Sequence, residues 1–151
     1  MAQASTPLQA LPAPMLASRM PEGIDVSAYL VSEKLDGVRA RWDGRALWTR
    51  TGTRIDAPAW FTRGWPPLPM EGELWIARGR FQQVSDTVRA MAMDDAAWRP
   101  IRFMAFDLPG ADAAFAQRHR QLRDAVERAG SATLQRIPQR HFASRALLDA
   151  Q

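Results

Sequence analysis

A hairpin pattern near the start of the chain constrains the fold more than any other feature. The stretch VRARW (38–42) alternates apolar residues with two arginines, which is the period-two pattern of a strand with one buried face. Asp43-Gly44 follows as a strong turn signal, and RALWTR (45–50) returns from it as the partner strand. The sequence therefore predicts an antiparallel hairpin over residues 38–50.

The remaining segments mix strands and helices in an order that predicts an α+β domain. Further strands are predicted at 28–35, 70–77, 101–108 and 132–139, the third of them as a central strand. Helices are predicted at 81–91 and 112–130, and a last helix would be capped by Ser144. Residues 56–69 begin with helical propensity and continue as a proline-rich loop. Hairpins mixed with helices favour α+β over strict β-α alternation.

Residues 1–23 are rich in Pro, Ala and Ser and are predicted to form an extended N-terminal arm. The arm has no basic segment followed by an apolar core, so it is not an intact signal peptide, although it could be the remainder of one. The compartment therefore stays open between periplasm and cytoplasm. No apolar run approaches the length of a membrane span, so no membrane partner is expected.

The positive charge of the chain is almost entirely arginine. Lys and Arg total 20 against 16 Asp and Glu, which gives a net charge of +4, and Lys34 is the single lysine. Arginine suits phosphate groups because its planar fork donates two hydrogen bonds at once, so nucleic acid is a plausible partner. A bias in gene composition would produce the same excess. The absence of cysteine excludes disulfides, thiol catalysis and cysteine-ligated zinc.

Lys34 lies between Glu33 and Asp36-Gly37, where a predicted strand ends and the chain turns. Lysine attacks as a nucleophile only as the neutral amine, which desolvation or a neighbouring cation favours. Arg39 follows within reach and could hold a phosphate group. The alternative is a surface lysine before a turn, and this segment alone does not separate the two.

A series of motifs decides between them by resemblance. EKLDGVR (33–39) resembles motif I of the covalent nucleotidyltransferases, which comprise ATP-dependent DNA ligases, RNA ligases and mRNA capping enzymes. In that family the pattern K-x-D-G-x-R carries a nucleophilic lysine. Further motifs follow in the family's order: TRTG (49–52) as motif Ia, EGELW (71–75) as motif III, FMAFDL (103–108) as motif IIIa, and FAQRHRQL (115–122) as the helix that commonly follows. The chain is most similar to the small bacterial ATP-dependent DNA ligases, including those exported to the periplasm.

The resemblance implies a role for each motif residue. Lys34 would attack ATP, with Mg²⁺ assisting, and form a lysyl-AMP phosphoramidate. The implied nucleotide contacts are Glu33 at the adenine edge, Arg39 at the ribose or a phosphate, Glu73 at a ribose hydroxyl, and Phe106 stacked on the adenine. Arg50 would bind the 5′-phosphate of a DNA nick. The residues that support the motifs are Asp36, Gly37, Glu71 and Asp107.

The resemblance also implies a domain and a substrate. Residues 24–151 would be the N-terminal part of a ligase/capping-enzyme adenylation domain, with antiparallel sheets flanked by helices, acting as a monomer on nicked double-stranded DNA in repair or recombination. The family continues with motif IV, whose acid holds the catalytic metal, with the K-x-K of motif V, and with an OB-fold domain. None of these is visible, so the metal ligands are unknown and we expect a partial domain impaired in nick sealing.

Two alternatives remain open at this stage. The first is an RNA ligase or capping-type nucleotidyltransferase, which would differ in its preference for GTP or for an RNA nick. The second is a non-catalytic basic fragment that holds DNA through arginine–phosphate contacts. Its DNA binding would be sensitive to salt but indifferent to ATP and to Lys34→Ala.

Overall fold

The computed structural model describes residues 11–151, which are organised by a six-stranded sheet. The strands are β1 (Leu30–Val31), β2 (Val38–Trp42), β3 (Leu47–Thr49), β4 (Arg54–Ile55), β5 (Met70–Trp75), β6 (Arg102–Asp107), β7 (Leu134–Arg136) and β8 (Arg140–His141). The α-helices are α1 (Phe81–Arg89), α2 (Asp95–Trp98), α3 (Phe115–Ala129) and α4 (Arg145–Asp149). The strand order in the large sheet is β4-β3-β2-β5-β6-β7, while β1 and β8 form a separate antiparallel pair. The α+β prediction is confirmed.

The predicted hairpin is present as β2 and β3, which pair antiparallel. Asp43 organises its turn by accepting two backbone N–H groups and the indole N–H of Trp48, each at 2.8 Å. Gly44 has a φ of 101°, which only glycine adopts without strain. The turn signal therefore acts through the Asp43 side chain as well as through the glycine.

The sheet is mixed, whereas antiparallel sheets were expected. β6 pairs antiparallel with β5 and parallel with β7, so the strand predicted at 132–139 is reduced to the three residues of β7 and joins the sheet in the other direction. α3 connects β6 to β7, as a parallel pair requires, because a tight turn cannot join parallel strands.

The α3 helix ends at Gly130 with a φ of 58°, as predicted. Ser144 caps α4, also as predicted.

The two faces of the large sheet have different surroundings. One face carries the larger core, whose biggest fully buried side chains include Trp98, Phe61 and Phe103. The opposite face carries a small cluster of Leu35, Met104 and Ile137, against which Trp75 and Phe106 pack only partly buried. This second face is therefore free to form the wall of a cleft.

Residues 56–69 contain no helix, so the helical start predicted for them is wrong. The segment is a series of turns that buries Phe61 and Trp65 against the larger core. The buried hydroxyl of Thr133 fixes it, because it accepts from Trp65 Nε1 at 3.0 Å and donates to the carbonyl oxygen of Phe61 at 2.5 Å. Tertiary packing of two aromatic side chains thus overrides local propensity.

The strand predicted at 28–35 is limited to β1, because β8 offers only two residues to pair with it. The prediction that Lys34 ends a strand is therefore wrong, because Lys34 lies three residues beyond Val31 in an irregular stretch. The Leu35 side chain is buried in the small cluster and anchors this stretch to the sheet.

Residues 11–23 of the N-terminal segment contain no helix or strand, and residues 1–10 of the predicted arm lie outside the described part. The carbonyl oxygen of Pro12 accepts a hydrogen bond from Arg41 Nη2 at 2.5 Å, so this segment lies against β2. The position at which the domain begins stays a prediction. Within residues 11–151, no helix is both long and apolar enough to cross a membrane.

Candidate active site

The structure brings five of the predicted site residues to one cavity. The cavity has a volume of about 340 Å³ and lies on the second face of the sheet. Its lining includes Glu33, Lys34, Arg39, Glu73 and Phe106. Small-molecule sites typically occupy roughly 300–1,000 Å³, so the cavity can hold a compact ligand.

Neighbouring strands supply three of these side chains. Arg39 on β2 and Glu73 on β5 are direct partners in the ladder, so their side chains lie on the same face. Glu73 also pairs with Met104 on β6, and Phe106 follows two residues later on that face. The period-two spacing of three adjacent strands thus places a cation, an acid and an aromatic ring side by side.

Lys34 reaches the cavity from the irregular stretch after β1, and its side chain is exposed. Among residues 11–151 the structure records no hydrogen bond or salt bridge for its amino group. Gly37 brings the following turn against β5, because a Cβ at this position would overlap the carbonyl oxygen of Leu74. The amine is therefore open to solvent and to the cavity, on a stretch fixed at both ends.

The surroundings of Glu73 in the cavity raise the pKa of its carboxyl group. Burial raises its pKa to about 7, against the opposing charges of Arg39 and Lys34, and the nearby charge of Asp36 raises it further. Its Oε2 atom is buried and has no hydrogen-bond partner among the described residues. The carboxyl group therefore holds its proton to a higher pH than an exposed glutamate does, and its Oε2 atom has no partner within residues 11–151.

A buried charge cluster lies beside the cavity. Glu71 Oε2 is 2.6 Å from Nη2 of Arg39, and Glu71 Oε1 is 2.9 Å from Nε of Arg41. The Arg39 guanidinium carbon lies 4.6 Å from the centroid of the Phe106 ring, which is cation–π distance. Arg39 Nε is buried and finds no acceptor in the described part of the chain. One donor and one acceptor, Arg39 Nε and Glu73 Oε2, are therefore both unsatisfied at the same cavity.

Arg41 departs from the expected pattern of the strand. The alternation in β2 predicts an exposed side chain, but Arg41 is only 4% exposed. Glu71 and the carbonyl oxygen of Pro12 cover it and compensate its charge. Sequence reasoning missed this residue because period-two alternation reports one buried face and cannot show that a pairing acid covers the other.

The other motif residues lie around the cavity rather than in it. Asp107 pairs with Arg118 at 2.7 Å and accepts the N–H of Leu108 at 2.8 Å, and with Glu71 it lines a second cavity of about 430 Å³. Arg118 was not predicted as a site residue. It belongs to the FAQRHRQL helix motif, which is the feature of the sequence that could have indicated it. Arg50 lies in the exposed turn between β3 and β4 and lines neither cavity.

Glu33 is the more exposed of the two acids that line the cavity. It forms a salt bridge to Arg78 of 2.7 Å, in which the side chains are 51% and 85% exposed respectively. Such a pair is weak because solvent screens it, so Glu33 is free to exchange partners. Among residues 11–151 no group of three His, Asp or Glu side chains converges to hold a metal ion.

Comparisons with known proteins show that the chain is similar to DNA ligases. A DNA ligase from Haemophilus influenzae is 37% identical over 87 residues, which make up 58% of this chain and 32% of that protein. A solved structure, described under "DNA binding with a minimal scaffold: Structure-function analysis of Lig E DNA ligases", is similar with a TM-score of 0.80 at 42% identity. It covers 85% of this chain, and the match spans 51% of that chain. The resemblance to DNA ligases is confirmed.

Two further comparisons show how far the similarity to known proteins extends. A solved structure named Pmar-Lig_PreS3 is similar with a TM-score of 0.57 at 16% identity, covering 72% of this chain and 30% of that one, which is a likeness of fold alone. No protein-family model matches the chain. The chain thus spans about a third of the Haemophilus ligase and half of the Lig E structure.

Proposed function

We propose that the chain is the adenylation part of an ATP-dependent DNA ligase and that Lys34 is its nucleophile. The observation that carries this proposal is the composition of one cavity. There the single lysine of the chain meets a buried donor, Arg39 Nε, and a buried acceptor, Glu73 Oε2, both unsatisfied within residues 11–151. A ligand with a hydroxyl group and a phosphate group would satisfy all three.

The proposed first chemical step takes place at Lys34. The neutral amine attacks the α-phosphorus of ATP, so that a nitrogen–phosphorus bond forms while the bond to the leaving pyrophosphate breaks. The surplus proton of the amine passes to solvent, which reaches Lys34 because the side chain is exposed. The products are a lysyl-AMP phosphoramidate and pyrophosphate.

The cavity walls divide the recognition of the nucleotide among them. Phe106 offers a ring for the adenine to stack on. A ribose hydroxyl can donate to Glu73 Oε2 and accept from Arg39 Nε, because a hydroxyl is donor and acceptor at once. The positive charges of Lys34 and Arg39 suit the phosphates. Glu33 would turn from Arg78 to the adenine edge.

Mg²⁺ would enter with the triphosphate and neutralise its developing charge. The described residues offer no cluster that would hold the ion, so no step is assigned to the protein through it.

The later steps concern a nicked DNA duplex, bound by a monomer. The 5′-phosphate of the nick would attack the phosphoramidate and take the AMP, restoring the Lys34 amine. The 3′-hydroxyl would then attack that 5′-phosphate and displace AMP, which leaves a phosphodiester bond. Arg50, in its exposed turn between β3 and β4, is proposed to contact the 5′-phosphate.

Covalent labelling tests the proposal. The chain is incubated with Mg²⁺ and α-labelled ATP, and attachment of one AMP is followed by intact mass and peptide mapping. Lys34→Arg, which keeps the charge but removes the nucleophile, should take up no label, whereas Arg128→Ala, at an exposed position on α3, should label like the wild type. Label on the Lys34→Arg chain, or none on a folded wild-type chain, would contradict the proposal.

The alternatives predict different results in the same assay. A capping-type enzyme would prefer GTP, and an RNA ligase would transfer its AMP to a nicked RNA rather than to DNA. A non-catalytic DNA-binding fragment would take up no label and would bind DNA equally well after Lys34→Arg.

A further inference from the structure

We infer that Arg41 is a positioning residue of the site, which acts through Glu71 to hold the Arg39 guanidinium over the Phe106 ring. The consequence for nucleotide binding rests on the proposed function. The positioning itself does not, because it can be observed without a nucleotide.

The contacts form a chain from the interior to the cavity. The carbonyl oxygen of Pro12 accepts from Arg41 Nη2 at 2.5 Å. Arg41 Nε lies 2.9 Å from Glu71 Oε1 in an ion pair, although the contact does not have the geometry of a hydrogen bond. The second oxygen of Glu71 accepts from Arg39 Nη2 at 2.6 Å. Each carboxylate oxygen thus serves a different arginine, and only the outer arginine lines the cavity.

Burial makes the inner pair a fixed point. The Arg41 and Glu71 side chains are 5% and 7% exposed, whereas the Arg39 side chain is 23% exposed. A buried carboxylate keeps its charge only with close partners, so Arg41 holds Glu71 in one orientation. The long Arg39 side chain would otherwise sample many rotamers, and the anchored carboxylate selects the one that lies on Phe106.

A cluster of this kind could also serve stability alone, and the variants are chosen to separate the two roles. Arg41→Met removes the inner partner and leaves Glu71 with one arginine, which is expected to destabilise the fold. Arg41→Met combined with Glu71→Leu replaces the whole pair by apolar side chains, which generally restores stability. Stability should return in the double variant, but the anchor of Arg39 should not. Arg145→Met, which breaks an exposed pair with Asp149, is the control.

The position of Arg39 can be followed by nitrogen-15 NMR of the arginine Nε–H groups. The Nε–H signal of a guanidinium that stacks on an aromatic ring is shifted upfield by the ring current. Phe106→Leu removes this shift and thereby identifies the Arg39 signal. We expect the upfield Arg39 signal in the wild type and in Arg145→Met, and its loss in the folded double variant. An unchanged Arg39 signal in the folded double variant would overturn the inference.

Labelling with ATP measures the functional consequence. In the double variant, the ATP concentration that half-saturates labelling of Lys34 should rise about 10- to 100-fold, because the Arg39 guanidinium that would contact the nucleotide is displaced. The maximal label should stay similar, because Lys34 itself is intact. An unchanged half-saturation beside a lost NMR shift would also overturn the role. If the wild type takes no label, the proposed function fails, while the Arg39 signal still decides whether Arg41 positions it.

Discussion

Arg39 and Glu73 are direct partners across β2 and β5, yet Arg39 Nε and Glu73 Oε2 both lack a hydrogen-bond partner within the described chain. A buried unpaired polar group costs about 1–3 kcal/mol of stability. Both groups belong to residues that line one cavity, where the proposed nucleotide would supply their missing partners.

Replacing Phe106 by Leu should weaken nucleotide binding. Stacking on an aromatic ring contributes about 1–3 kcal/mol per base, so the half-saturating ATP concentration for labelling of Lys34 should rise roughly 5- to 150-fold. The fold should persist because Phe106 is only half-buried. Phe81→Leu, on the exposed side of α1, is the control. Equal half-saturating ATP concentrations for Phe106→Leu and Phe81→Leu would show that Phe106 does not contact the nucleotide.

Replacing Glu73 by Gln should change the dependence of stability on pH. The folded-state pKa of about 7 lies above the usual 4.5, so the folded protein binds the extra proton in this interval. The stability that protonated Glu73 contributes is complete below about pH 4.5 and is lost as the pH rises through 7. The glutamine variant should therefore gain roughly 1–3 kcal/mol on the wild type between pH 5 and pH 8, allowing for partial solvent screening.

Urea unfolding at the two pH values measures this difference. Glu127→Gln, on the exposed face of α3, should show no such change. The same stability difference at pH 5 and pH 8 for Glu73→Gln would mean that the pKa of Glu73 is not raised.

Replacing Thr133 by Val should destabilise the protein by about 1–3 kcal/mol although the shape is kept. The change leaves the Trp65 indole N–H and the Phe61 carbonyl oxygen without their shared partner. Thr87→Val removes a hydroxyl whose hydrogen bond to the carbonyl oxygen of Gln83 in α1 is exposed to solvent, and it should cost less than about 0.5 kcal/mol. Similar free energies of unfolding for the two variants would contradict this account.

Replacing Gly72 by Ala should cost about 1–3 kcal/mol through overpacking. The added Cβ would lie 2.6 Å from the carbonyl oxygen of Met104 and 2.8 Å from Cζ of Phe103. Gly64→Ala is the comparison, since its Cβ meets nothing within 4 Å and only its φ of 78° opposes the change, at a cost of about 1–2 kcal/mol. Unfolding in denaturant measures the free energy of both variants. A loss of stability for Gly72→Ala that is no larger than the loss for Gly64→Ala would contradict the packing explanation.

Local signals in the sequence predicted the parts of the fold that depend on neighbouring residues. The β2–β3 hairpin follows from Asp43-Gly44, and the end of α3 follows from Gly130. The grouping of Lys34 with Arg39 was also accessible, because both belong to one short motif and the chain between them turns once.

The features that were missed depend on distant contacts. The segment 56–69 lost its expected helix because Phe61 and Trp65 pack on residues far along the chain. The direction of β7 is set by the path of α3, which no local pattern reports. Arg41 is buried by Glu71, thirty positions further on, and its environment could be known only once the two strands were paired.

The pairing of β1 with β8 has a consequence for the order of assembly. Leu30 and Val31 meet residues 140–141, so this ladder closes a loop that contains the entire large sheet. Long-range closures form late because their entropic cost precedes their contacts. During synthesis, the β1 end of the stretch that carries Lys34 can pair only after residue 141 has emerged, when β7 is already complete. The β1 end of the stretch that carries Lys34 is therefore expected to take its position after the strands of the large sheet have paired.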